Sequence, residues 1–156
     1  MFPNRKNLAA HALVSLLLTI VATGVHHIFR LGPELVPITL AAFAIPIVLM
    51  ALYRHRGHIG FAWGFTVYTG LIFLWFGFFD GFLDHVLKAL KLDNVTFLPG
   101  SEAEVVATVY QLWSPEASNV FYEGTGVLTT IVSVFAVLLA VRFLRAELQT
   151  RRLAVA

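Results

Sequence analysis

The chain has 156 residues, of which 58% are hydrophobic and 13% are charged. A soluble domain carries fewer apolar and more charged residues, so a water-soluble fold of this length is excluded. Cysteine is absent, which rules out disulfides, thiolate metal sites and cysteine nucleophiles, and two methionines are too few for a thioether cluster. The formal charge of +2 is small, so the positions of the charges say more than their sum.

Two apolar segments in the first third of the chain are each predicted to cross a membrane. Residues 8–29 follow Arg5 and Lys6 and, at about 1.5 Å per residue, are long enough for about 30 Å of hydrocarbon. No small-residue cleavage site follows them, which favours a retained helix over a signal peptide. Residues 37–53 predict the second helix, and Pro46 inside it is expected to kink it.

Two further apolar segments predict the third and fourth membrane helices. Residues 59–80 are rich in Phe and Trp, and we expect their helix to continue past the membrane to about residue 90. Residues 125–143 predict the last helix. The apolar segments leave no stretch long enough for a second core, so the sequence predicts an all-α four-helix bundle and a single membrane domain over 1–156.

The predicted loop over residues 92–124 contains one further helix signal. Ser101 to Glu104 resembles a helix N-terminal cap, and apolar residues follow it near helical spacing. We therefore expect a short helix on the membrane surface, anchored by Tyr110 and Trp113.

The distribution of Lys and Arg predicts the orientation of the bundle. The positive-inside rule weights basic residues in the short segments that flank membrane helices. With both termini in the cytoplasm, eight of the 11 basic residues lie inside with Glu147 as their only acid, and eight acids lie outside. The inside set is Arg5, Lys6, Arg54, Arg56, Arg142, Arg145, Arg151 and Arg152. We expect a multi-pass protein of the bacterial cytoplasmic (inner) membrane with both termini cytoplasmic.

Small residues predict which helix faces pack together, because close backbone approach drives helix association in lipid. On the third helix, a stripe with heptad-like spacing is expected to face inward. It consists of Gly70, Leu74, Gly77, Gly81, Asp84 and Lys88. On the fourth helix the corresponding face is Thr125, Thr129, Ser133, Ala136 and Ala140.

This topology places six coordinating side chains at a similar depth on the outer side. They are His26, His27, Asp80, Asp84, His85 and Glu123. Ionisable groups near hydrocarbon cost about 2–3 kcal/mol each, and they usually line interiors, pair with one another or serve function. Imidazoles and carboxylates without sulfur suit Zn, Fe, Mn or Cu(II), so the sequence predicts a metal site with nitrogen and oxygen ligands.

Three other interpretations of these residues stay open. The same groups could relay protons, or they could be interface anchors in which Asp84 and Lys88 form an i,i+4 ion pair. Haem b could bind between facing helices, with His26 or His27 and His85 as axial ligands. Neighbours on a helix point about 100° apart, so only one of the adjacent histidines is expected to coordinate a metal.

The sequence contains no phosphate loop, dinucleotide fingerprint, zinc-protease pair or Ser/His/Asp pattern. The leading hypothesis is a subunit or accessory of a membrane redox or metal-handling complex. A non-catalytic scaffold subunit and a small proton-coupled transporter are the alternatives. The expected partners are the lipid bilayer and either other proteins or further copies of the chain. Nucleic acid is not expected as a partner.

Overall fold

The computed structural model describes residues 5–96 and 113–153, which are mostly helical with no strand among them. The four helices are α1 (Arg5–Leu31), α2 (Val36–Arg56), α3 (Ile59–Ala89) and α4 (Pro115–Leu153). Each is long and apolar enough to cross a membrane. This confirms the predicted all-α, multi-pass architecture.

The boundaries differ from the prediction mainly at α4. This helix begins at Pro115 and ends at Leu153, so it extends beyond the apolar segment 125–143 at both ends. Hydropathy marks only the apolar part of a helix, whereas helical hydrogen bonding continues through polar residues. The loop after α3 is therefore shorter than the predicted 92–124. The predicted surface helix falls mostly on residues 97–112, outside the described residues.

The helices alternate in direction, which defines two ends of the bundle. The end of α1, the start of α2, the end of α3 and the start of α4 meet at what we call the histidine end, defined by His26, His27 and His85. The α2–α3 turn and the end of α4 meet at the basic end, defined by Arg56 and Arg151. A 3-10 turn, Pro33–Leu35, joins α1 to α2 at the histidine end.

The turn at the basic end is fixed by its backbone. Gly57 ends α2 with φ of 63°, a left-handed conformation that glycine adopts at little cost, and its N–H donates to Tyr53 O at 2.8 Å. The His58 ring caps α3 by accepting a hydrogen bond from Gly60 N at 3.1 Å. Arg151 of α4 donates to the Gly57 carbonyl, which ties the last helix to this turn.

The core lies between α1, α3 and α4. Its fully buried side chains include Leu16 and Ile20 of α1, Phe65 of α3 and Phe143 of α4. The predicted inward face of α4 is confirmed for four of its members, which are all buried: Thr129, Ser133, Ala136 and Ala140. By contrast, α2 packs on α1 and α3 at the periphery and leaves most of its surface exposed.

A hydrogen bond one turn before Pro46 connects α2 to α3. Proline has no backbone N–H, so Pro46 leaves the carbonyl of Ala42, one turn earlier, without its helical donor. The Tyr68 hydroxyl of α3 donates to that carbonyl at 2.8 Å. The carbonyl that Pro46 leaves without a helical donor thus forms a hydrogen bond between α2 and α3.

The second half of α3 is a π-helix, Phe73–Val86, which the sequence analysis did not anticipate. A π-turn contains more residues than the roughly 3.6 of an α-turn, so residues five apart come closer to one face. The buried residues of this segment are Gly77, Gly81, Asp84 and His85, which confirms the predicted inward stripe for the first three. Leu74 of that stripe is 45% exposed, and its prediction was wrong.

Glycines allow the π-helix to approach α4 closely. A Cβ atom at Gly77 would collide with the Ser133 side chain, and one at Gly81 would collide with the Thr130 hydroxyl. The same Thr130 hydroxyl donates to Gly77 O at 3.0 Å. This contact leads directly to the histidine end, where α3 carries Asp80 and His85.

Candidate metal centre

His26 is held between α1 and α4 with only 1% of its surface exposed. Its ring stacks on Tyr122 with centroids 4.3 Å apart, and its Nδ1 lies 3.1 Å from Tyr122 O and 3.0 Å from Thr125 Oγ1. A carbonyl oxygen can only accept, so Nδ1 carries the proton and Nε2 presents a lone pair. That Nε2 lies 3.8 Å from Asp80 Oδ2.

His85 comes from the π-helix and is also 1% exposed. Its Nδ1 lies 2.8 Å from Glu123 Oε2, and Lys88 Nζ donates to the other oxygen of Glu123 at 2.7 Å. Nδ1 therefore donates to the carboxylate and leaves Nε2 as an acceptor. Nε2 is buried and makes no hydrogen bond with any described residue. A carboxylate behind a histidine is the usual outer support of a metal-binding imidazole.

His27 is oriented in the same manner by its own helix. Its Nδ1 lies 2.8 Å from Thr23 O and so donates to that carbonyl. Its Nε2 lies 3.8 Å from Asp80 Oδ2, on a side chain that is 16% exposed. All three histidines of this end thus bond to the chain through Nδ1 and direct Nε2 inward.

Asp80 is the point on which these nitrogens converge. Its Oδ2 is buried and forms no hydrogen bond with the described residues. His26, Asp80 and His85 each offer one ligand atom, and these atoms all lie within 4.8 Å of one another. A tetrahedral ion with bonds of about 2.1 Å separates its ligands by roughly 3.4 Å, so small side-chain movements would bring this group to bonding distance.

The π-helix explains why Asp80 and His85 face the same space. Residues five apart point roughly 140° from each other on an α-helix but only roughly 50° apart on a π-helix. The π-turn therefore turns His85 toward Asp80, with Gly126 of α4 packed against the His85 ring. A Cβ atom at Gly126 would collide with that ring.

Asp84 and Glu123, the other predicted ligands, have described roles outside the three-residue group. Asp84 is 6% exposed, and its Oδ1 accepts from Asn94 Nδ2 at 2.7 Å and Thr96 Oγ1 at 3.2 Å. It fastens the segment after α3 back onto the helix. Glu123 supports His85 from behind, and its carboxylate bridges to Lys88.

The structure does not accommodate haem b between His26 and His85. Their rings are in edge-to-face contact, with centroids 4.7 Å apart. Axial imidazoles of a haem stand on opposite sides of the porphyrin, which needs a gap between the two rings. Rings in contact leave no gap for a macrocycle, whereas the ligand atoms of this group are close enough together that they could hold a single ion.

Sequence reasoning missed the residues of α4 that hold His26. Tyr122 is 3% exposed, stacks on His26 and accepts a hydrogen bond from Arg30 Nη1 at 2.6 Å. Arg30 is itself 7% exposed. A signal for Tyr122 did exist, because extending the inward face of α4 toward its start leads from Thr129 through Gly126 to Tyr122 and Ser118, all of them buried.

Comparison with protein-family models, curated proteins and solved structures gives no match. The function proposed for this chain is therefore inferred from its own geometry. Fold and site together define a four-helix bundle of membrane-spanning dimensions with a buried two-histidine, one-carboxylate group that could hold a metal ion.

Proposed function

We propose that this chain is a membrane metal-binding protein in which His26, Asp80 and His85 hold one divalent transition-metal ion. The observation that carries the proposal is the pair of buried atoms without a hydrogen-bond donor, Asp80 Oδ2 and His85 Nε2, in a group whose ligand atoms lie within 4.8 Å of one another. In this proposal the protein is a subunit or accessory of a membrane redox or metal-handling complex.

The electrostatics of the group favour a cation. Each Nδ1 donates outward to a chain oxygen, so the Nε2 atoms and a carboxylate oxygen face the centre. Burying a charge or a polar atom without a partner is costly, and a metal ion supplies a partner to all of these atoms at once. Two imidazoles and one carboxylate form the ligand set of non-haem Fe(II) sites, and they also suit Zn, Mn or Cu(II).

The charge distribution supports an outward-facing site. The basic end carries Arg54, Arg56, Arg142, Arg145, Arg151 and Arg152, which the positive-inside rule assigns to the cytoplasm. The histidine end is then on the outer side of a bacterial cytoplasmic membrane. In this orientation the site takes its metal from the periplasmic side or from the membrane itself.

The test is metal stoichiometry of the detergent-purified protein after chelation and reloading with Fe(II) under anaerobic conditions, or with Zn(II). The wild type is expected to retain about one equivalent and to gain thermal stability on loading, since an ion that binds only the folded state stabilises it. His85→Ala is expected to lose both effects. His55→Ala, which changes an exposed histidine at the basic end, is the matched control and retains both.

Two results would overturn the metal proposal. One is a wild-type protein that retains less than about one tenth of an equivalent with either metal. The other is retention by His85→Ala equal to that of the wild type. Far-UV circular dichroism of each variant shows whether a loss of metal reflects loss of the ligand or loss of the helices.

Proton transfer through the same cluster is a second candidate. The Nε2 atoms of His26 and His27 both lie 3.8 Å from one oxygen of Asp80, so protons could pass between two imidazoles that share one carboxylate. This function predicts proton flux in liposomes that contain the metal-free protein and loss of that flux in Asp80→Asn. A proton flux no greater than that of empty liposomes would eliminate this candidate.

A further inference from the structure

A cavity of about 560 Å³ opens between α1, α2 and α3 beside the candidate metal centre. Its wall is almost entirely apolar, with aliphatic side chains from α1 and α2 and aromatic rings from α3. The aromatic side is formed by Trp75, Phe76 and Phe79, and the polar end by His27 and Asp80. One cavity thus joins an apolar chamber to two residues of the histidine end.

Some side chains that line the cavity are also exposed on the outside of the bundle. Of these, Leu31 is 47% exposed, Ile38 66% and Trp75 64%. These side chains belong to helices long and apolar enough to span the bilayer. A ligand of this cavity would therefore enter from the lipid phase and would itself be lipid-soluble.

The polar end selects for a neutral headgroup that donates hydrogen bonds. Among the lining residues Asp80 is the only charged one, and no Lys or Arg is present to receive a phosphate or a carboxylate. His27 adds an Nε2 acceptor, since its Nδ1 already donates to Thr23 O. The Thr39 hydroxyl donates to Leu35 O in the turn before α2, 2.8 Å away. Hydroxyl groups on an uncharged headgroup match these acceptors, whereas an anionic lipid does not.

The aromatic wall favours a ring over an acyl chain. Phe76 already meets the His27 ring edge to face at 5.2 Å, which continues the aromatic surface of α3 to the polar end. A flat ring gains offset or edge contacts with such a surface that a flexible chain does not. The remaining aliphatic wall suits a hydrocarbon tail that leads back to the bilayer.

We propose that this cavity binds a lipid-soluble quinol, with its ring against Trp75 and Phe76 and one hydroxyl donating to His27 Nε2. The proposal deepens the proposed function, because it names a ligand that would lie beside the metal. The contacts to His27 and the aromatic wall do not require the ion, so quinol binding and metal binding can fail independently.

The test uses protein reconstituted in phosphatidylcholine nanodiscs with decylubiquinol, kept reduced, as the probe. Bound quinol is quantified by extraction and chromatography and compared with nanodiscs that lack protein. The wild type is expected to retain about one saturable equivalent above partitioning, with or without metal. Ala42→Phe fills the cavity from α2 and is expected to weaken binding at least tenfold. His27→Ala keeps the aromatic wall and is expected to weaken binding about fivefold.

The matched control is Ala41→Phe, which adds the same ring to the adjacent, exposed position of α2 outside the cavity lining. It should bind quinol as the wild type does. Equal retention by wild type, Ala42→Phe and Ala41→Phe would show partitioning only and overturn the proposal. Displacement of the bound decylubiquinol by an equimolar amount of oleate would overturn it too. Far-UV circular dichroism and thermal unfolding equal to those of the wild type show that Ala42→Phe keeps the fold. A wild type that binds quinol but no metal refutes the metal site alone.

Discussion

The two ends of the bundle carry three histidines each and use them differently. At the histidine end, His26 and His85 are 1% exposed, and the Nδ1 atoms of both and of His27 are each bonded to an oxygen of the chain. At the basic end, the other three are exposed: His11, His55 and His58. The contrast shows that residue type alone does not define a site. Fixed tautomers and Nε2 atoms directed at a common carboxylate distinguish one end from the other.

The largest effect on the difference between the two ends is expected when the shared carboxylate of Asp80 is removed. Asp80→Asn keeps the size of the side chain but replaces a charged oxygen with a neutral amide. We expect metal affinity to fall by more than about 100-fold, beyond the range that changes in outer supporting residues produce. Competition with a chromophoric chelator measures the affinity.

Asp84→Asn is the matched control for this change, since Asp84 holds Asn94 and Thr96 and lies outside the three-residue group. It should leave metal affinity within about threefold of the wild type. A loss in Asp84→Asn as large as in Asp80→Asn would instead place Asp84 in the ligand set, as the sequence predicts.

A second test changes the space around His85 without touching any ligand. Gly126→Ala places a methyl group against the His85 ring, so either the ring or the helix must move. We expect loss of metal retention and destabilisation by about 1–3 kcal/mol, the usual cost of overpacking. Thermal unfolding in detergent and metal analysis report the two effects.

Gly124→Ala is the control, because a Cβ atom there meets nothing within 4 Å. It should retain metal and unfold at an equal or higher temperature, as alanine favours a helix over glycine. If Gly126→Ala retains a full equivalent of metal, the tight packing behind His85 is not needed to hold that ring in place.

The sequence predicted the four helices well because their signal is local. Apolar length determines a membrane-spanning helix, and the structure has helices at each of the four predicted segments. The inward face of α4 was also predictable, because small residues such as Ser133 and Ala136 recur with helical spacing. Orientation across the membrane stays a prediction from the Lys and Arg distribution.

The site was predictable only as a set of residues at one depth. Which of them converge depends on the π-helix, and the hydropathy and residue spacing of this segment do not distinguish a π-turn from an α-turn. An α-helix would pair Asp80 with Asp84 on one face, whereas the π-helix brings His85 toward Asp80. The roles of Tyr122 and Arg30 depend on contacts between residues 92 positions apart, which a hydropathy pattern cannot reveal.

A third and smaller effect is expected from the outer support of His85. Glu123→Gln leaves one amide oxygen to serve both His85 Nδ1 and Lys88 Nζ, which the carboxylate now satisfies with separate oxygens. We expect metal affinity to fall about 10- to 100-fold, the usual cost of losing such a support. Glu116→Gln makes the same change on an exposed residue of the first turn of α4 and should have no effect. Equal affinities for the two variants would contradict a supporting role for Glu123.

The smallest effect is expected at the basic end, where His58→Ala removes a helix cap. The His58 ring accepts a hydrogen bond from Gly60 N, and loss of such a cap costs about 0.5–1 kcal/mol. The melting temperature should therefore fall by about 2 °C while metal stoichiometry stays at the wild-type value. His58→Asn restores a capping acceptor and should recover most of the loss. If His58→Ala lowered metal retention as His85→Ala is expected to, both ends would bind metal, and burial with a fixed tautomer would no longer separate them.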